Sequence, residues 1–120
     1  MSAVTFLAPV LASLQQTIPM VIREARPSGD YLECIVSWHD VARCCELLSG
    51  TFGEAAKDFN KPAQLDPKIR QALGTIGGIR IEQCLFLAQP EPGRAVYATL
   101  WPWASNPAQA TLKVGILEFA

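Results

Sequence analysis

Few residues in this chain have the type and spacing for chemistry. The one histidine, His39, stands beside Asp40 and close in sequence to Cys34. A thiol and an imidazole in hydrogen-bond contact make a nucleophile pair, because the ring draws the proton from sulfur. Cys34 and His39 are therefore the candidate polar site. Helical spacing argues against them: it places Val41, Cys44, Cys45 and Leu48 on a buried stripe, and His39, Arg43 and Glu46 on the wet face. Gly74-Thr75-Ile76-Gly77-Gly78 lacks the Lys-Ser/Thr ending of a phosphate-binding loop. It reads as a helix stop leading into a strand. Glu24 and Glu33 come near each other across an expected hairpin, with Arg23 or Arg26 to neutralise them, which is ordinary for a strand surface. No acid–base dyad can be named, and no catalytic residue is assigned.

The most unusual local feature is Trp101-Pro102-Trp103, two indoles flanking a proline in an uncharged loop. Tyr97 lies on the same strand face as Trp101. Tryptophan is enriched where proteins bind, since it brings a large apolar body and one donor. A protein partner, a stacked small molecule and a packed mini-core all fit. Tyr97, Trp101 and Trp103 are the partner- or ligand-binding candidates, together with Leu7 and Leu11 of an N-terminal helix.

Those side chains must be positioned by a single α+β domain spanning residues 1–120. Half the residues are hydrophobic and 18% are charged, enough apolar surface for a core and too little charge for disorder. The formal net charge is −1, which gives no basic footprint for nucleic acid. The four cysteines include no C-x-x-C pair, so zinc spacing is absent. Reduced thiols in a cytoplasmic protein are expected, with no metal and no cofactor. No run is long enough to span a membrane. Charge is unevenly spread: residues 1–22 and 95–112 carry none. Two such segments are hard to bury completely in a small monomer, so part of their surface is expected to face a partner.

Val4, Leu7, Leu11 and Leu14 recur at helical spacing, predicting a helix over 3–16 or from Ala8 if Pro9 must lie in the first turn. Met20–Ala25 and Tyr31–Val36 predict a hairpin around Pro27-Ser28-Gly29-Asp30. Ser37 is placed to cap a helix ending near Ser49, with Gly50 after it. Thr51-x-x-Glu54 predicts a further helix, and Asp66-Pro67 a third. Ile79–Leu87, Arg94–Trp101 and Thr111–Phe119 predict a meander. The order is α-β-β-α-α-α-β-β-β. It implies a five-stranded, largely antiparallel sheet, hairpin plus meander, with helices packed mainly on one face.

In element order the chain is similar to the NTF2-like family, which starts with helix, then has a hairpin, a helix and a closing meander. That resemblance implies a conical pocket between sheet and helices, holding a small molecule or an active site. The chain departs from it in lacking a second N-terminal helix and the usual His/Asp pocket pattern. It is also similar to the small peripheral subunit of respiratory complex I and its hydrogenase relatives, where Tyr31 to Leu48 looks alike. No residue role carries over from either. The first expectation is a non-enzymatic interaction or assembly protein, a homo-oligomer or a small subunit. Its contacts would run through the N-terminal helix and the 95–112 hairpin. The alternative is the small-molecule pocket.

Overall fold

The computed structural model describes residues 1–119. Helix α1 spans Ala3–Thr17 and opens at Ser2, whose hydroxyl accepts the Thr5 N–H. The carboxylate of Glu91 accepts the Ala3 N–H, bringing negative charge to the positive end of the helix. Pro9 sits inside α1, beyond the first turn. Strands β1 (Val21–Ala25) and β2 (Tyr31–Ser37) form the expected hairpin, turned through Gly29 at φ 71°. A single 3-10 turn, Trp38–Asp40, is capped by the Ser37 hydroxyl and leads into α2, Val41–Phe52. Helix α3 is Pro67–Leu73, started by the Asp66 carboxylate on the Lys68 N–H. Strands β3 (Cys84–Glu91), β4 (Arg94–Pro102) and β5 (Gln109–Glu118) form the meander.

The five strands make one antiparallel sheet in the order β1-β2-β5-β4-β3. The hairpin and the meander join where β5 lies between β2 and β4. Helices α1 and α2 cover one face, packing Leu7, Leu14 and Leu48 on Leu32, Val36, Val96, Leu100 and Leu112. Each such fully buried leucine stabilises the fold by about 2 kcal/mol. The short helix α3 covers part of the other face, where Leu73 meets Leu85, Tyr97 and Leu117. Strand β4 is therefore buried on both sides from Ala95 to Leu100. That is the reason for its lack of charge.

Two local expectations fail. Thr51–Glu54 does not start a helix: α2 runs through Gly50 to Phe52 and is closed by Gly53 at φ 83°. Phe52 packs edge-on to Phe6 at 5.4 Å and near Phe86 at 6.1 Å, which holds the last turn on the core. From Gly53 to Asp66 the chain is irregular. The first meander strand begins at Cys84 rather than Ile79, because the carbonyls of Ile81 and Gln83 are drawn to the Lys57 ammonium.

Lys57 is only 4% exposed. Its Nζ donates to the carbonyls of Asp58 at 2.9 Å, Ile81 at 2.6 Å and Gln83 at 2.5 Å. Its backbone pairs with Leu85 on the outer edge of β3. Gln83 completes the turn by accepting the Arg80 N–H at 2.6 Å and donating to Thr99 at 3.4 Å. The start of the β3 edge is thus covered. The other edge, β1, carries Arg23, Glu24 and a bulge between Ile22 and Glu24, features that keep an edge strand from pairing with another chain.

Two predictions follow from this packing. Lys57→Met leaves three carbonyls without their charged donor and lowers unfolding stability by at least about 3 kcal/mol in urea titration. Gly115 has no room for a methyl group: a Cβ would stand 2.8 Å from the Tyr97 hydroxyl and 3.1 Å from the Tyr31 ring. Gly115→Ala therefore destabilises by about 1–3 kcal/mol, and adding Tyr97→Phe recovers part of the loss.

Candidate functional site

On the sheet face away from α1 and α2, helix α3 covers the strip formed by Leu85, Tyr97 and Leu117, which crosses β3, β4 and β5 at one end of the sheet. The rest forms an open groove of about 440 Å³ lined by Arg23, Glu33, Trp101, Trp103, Thr111 and Lys113, with Ala104 and Ser105 at its rim. Strand register assembles the floor. Thr99, Lys113 and Glu33 sit opposite one another across β4, β5 and β2, and Glu24 of β1 is opposite Glu33. Arg23 occupies the bulge and reaches the same groove.

Both indoles of the Trp-Pro-Trp loop are half-buried here. Trp103 donates its Nε1–H to the Thr111 hydroxyl at 2.8 Å, which fixes the ring plane against β5. Trp101 is flanked by two cations: the Lys113 ammonium lies 5.5 Å from its ring centroid and the Arg80 guanidinium 5.6 Å. The negative ring face attracts each by about 0.5–1 kcal/mol. Glu33 accepts the Tyr31 hydroxyl at 2.8 Å, and Glu24 pairs with Arg26 at 3.5 Å. Burial and the Glu33 carboxylate together hold the Tyr31 phenol above its ordinary value.

The other sequence candidates are distributed differently. Tyr97 is on the groove face but interior, beneath α3 with Leu73 and Leu117, and burial pushes its phenol up to about 12. Leu7 and Leu11 are interior on the opposite face, where they hold α1 to the sheet. The N-terminal helix and the 95–112 hairpin consequently do not form one surface. The outer side of α1 shows Val4, Thr5, Ala8, Pro9 and Ala12, small or mildly polar groups. Cys34 faces the helix-side core while His39 is exposed on the 3-10 turn, and among the described residues no hydrogen bond joins them. The Gly74–Ile76 segment is a 3-10 turn continuing α3.

The cysteines behave as core residues. Burial pushes Cys34 and Cys44 up from 9.0 to about 12. Cys45 hydrogen-bonds Cys84, which lowers Cys45 and raises Cys84. Among the described residues no cluster of three His, Cys, Asp or Glu side chains is placed to hold a metal ion. No described helix is long and apolar enough to cross a membrane. The region between sheet and helices, where an NTF2-like pocket would open, is filled by Leu7, Leu14, Leu32, Leu48, Leu100 and Leu112. Compared with models of known protein families, with curated proteins and with solved structures, the chain matches none.

Arg80, Thr111 and Lys113 were not singled out as site residues, and Arg23 and Glu33 entered only as an ordinary charge pair across the hairpin; the signal for Lys113 was its place as an isolated cation after a long uncharged run. Their convergence depends on β5 entering between β2 and β4.

The thiols and the Tyr97 phenol give a pH prediction. Above pH 9 the unfolded chain releases protons that native Cys34, Cys44 and Tyr97 retain, so unfolding stability falls as pH rises from about 9 towards about 12. Lys57, drawn below its ordinary value by burial, acts in the opposite sense. The slope due to the thiols is therefore read from the difference between wild type and Cys34→Ala/Cys44→Ala, which declines less steeply. Cys34 and Cys44 also react with a thiol reagent only on unfolding, and half-buried Cys45 reacts first.

Proposed function

We propose that this chain is a non-enzymatic interaction protein that acts by assembly, as a small subunit or a homo-oligomer, through the 95–112 hairpin and the adjoining open face of the sheet. The observation that carries this reading is the placement of Trp101 and Trp103. Both are half-buried in a groove that no helix covers. Held by Thr111 and by flanking cations, the rings are already ordered, so a partner loses little side-chain freedom on closing over them. Rigid, partly desolvated aromatic anchors of this kind dominate binding energy in interfaces.

The absence of an obvious acid–base pair favours binding over catalysis. His39 is separated from the buried thiols, and Glu24 and Glu33 are engaged with Arg26 and Tyr31. The filled core leaves surface grooves such as this one, not the helix-side interior, as places where a ligand would reach the protein.

Sedimentation of the purified protein, alone and with proteins that co-purify with it, tests this reading. The expected result is a defined complex whose affinity falls about thirtyfold or more in Trp101→Ala/Trp103→Ala. Because removing Trp103 also removes the Thr111 hydrogen bond, Ala104→Phe provides a second test: it fills the groove from the rim, leaves both indoles in place and weakens the complex. A protein that stays monomeric and partnerless, or a complex indifferent to all these changes, overturns the proposal.

A further inference from the structure

We infer that the groove takes an acidic, extended peptide segment of a partner protein, its carboxylates held by Arg23 and Lys113; this rests on the reading of the open face as the contact surface. Among the described residues two ion pairs form, Arg26–Glu24 and Arg94–Glu118, and neither includes Arg23, Arg80 or Lys113. Glu33 stands directly opposite Lys113 in register, yet its carboxylate takes the Tyr31 hydroxyl while Lys113 leans over Trp101. The groove therefore presents Arg23 and Lys113, with Arg80 beside them on Trp101, against Glu33, which already has a donor, and the neighbouring Glu24, which is paired with Arg26. This local excess of positive charge stands on a chain whose net charge is −1.

The spacing suits a segment that carries two carboxylates. Arg23 on β1 and Lys113 on β5 are separated by β2, which puts their backbones about 10 Å apart across the sheet. An extended segment advances about 3.3 Å per residue, so acidic side chains two to four residues apart bracket it. The remaining lining suits such a segment. Trp103 and Ala104 give apolar contact between the two charges, and Ser105 at the rim offers a hydroxyl to a peptide backbone. Trp103, Ala104 and Ser105 line the groove together with the sheet residues, giving a recess that a strand of chain can enter.

The test uses a short fluorescein-labelled oligoglutamate peptide, followed by anisotropy and by tryptophan emission. Oligoglutamate binds, added salt weakens it, and the isosteric oligoglutamine peptide does not bind. Arg23→Glu and Lys113→Glu each weaken oligoglutamate about tenfold, and the double variant binds oligolysine instead. Both changes are on the surface, so a near-ultraviolet dichroism spectrum like that of the wild type accompanies the switch. Oligoglutamate that fails to bind, or binds the double variant equally well, overturns the inference. So does stronger binding of inorganic phosphate or of phosphatidylserine vesicles at this groove. If Trp101→Ala/Trp103→Ala still dissolves a complex while oligoglutamate fails, the contact surface stands and its acidic partner falls. If neither responds, both fall.

Discussion

The Lys57 ammonium is the interaction on which most of the irregular structure depends. A charge so far from water is tolerable only if its donors are all used, and three carbonyls use them. Two of those carbonyls belong to the turn before β3, so one side chain fixes two segments distant in sequence. The consequences spread outward. The 53–60 segment is tied to the start of β3 through Lys57 and Leu85 and to the turn before it through Asn60 and Ile81. The Ile79–Gln83 stretch, alternating enough to be a strand, becomes a turn. Arg80, carried on that turn, is delivered to the Trp101 ring. A buried cation with a structural task therefore determines where an exposed cation with no internal partner stands.

The second constraint is supply. Five strands offer two faces, and the chain has two long helices and one short one to cover them. Both long helices go to the face where Leu32, Val96, Leu100 and Leu112 line up. Helix α3 is two turns long and reaches only the Leu85–Tyr97–Leu117 strip of the other. What it leaves uncovered is furnished with half-polar groups: indoles with one satisfied N–H, a threonine, cations lying on rings. Such groups tolerate water and an apolar neighbour equally. The uncharged run 95–112 accordingly divides its roles. Its first half is core on both sides of β4, and its second half is the wall of the groove.

This division explains what the sequence made legible. The hairpin, the meander, the Ser37 cap and the Asp66-Pro67 start each rest on local chemistry, such as a turn residue, a side-chain acceptor or a fixed φ, and each is where local chemistry puts it. The Thr51–Glu54 capping box failed because Phe52 gains more from Phe6 and Phe86 as the end of α2 than from opening a new helix. Leu7 and Leu11 looked like contact residues because their segment is uncharged, but a charge-free helix is also what a fully covered sheet face requires. Of the candidate groove, the two tryptophans stood out in the sequence. The cations were hidden because they come from β1, β5 and a turn that no spacing rule connects. Only the insertion of β5 between β2 and β4 places them together.

The position of the unpaired charge carries the remaining weight. Among the described residues every buried side-chain nitrogen or oxygen is answered: Lys57 by carbonyls, Gln83 by Thr99 and Arg80, Thr99 by Cys84. On the groove floor the same sheet puts Glu33 opposite Lys113, a pairing that register alone would turn into an ion pair, and the two side chains turn away from each other. Tyr31 holds the acid and Trp101 holds the base. Neither contact neutralises its charge, so the Lys113 ammonium keeps its attraction for a carboxylate while its conformation is already fixed. A cation that is ordered but not neutralised favours an anionic partner over a free one, because the ordering cost has been met before the partner arrives.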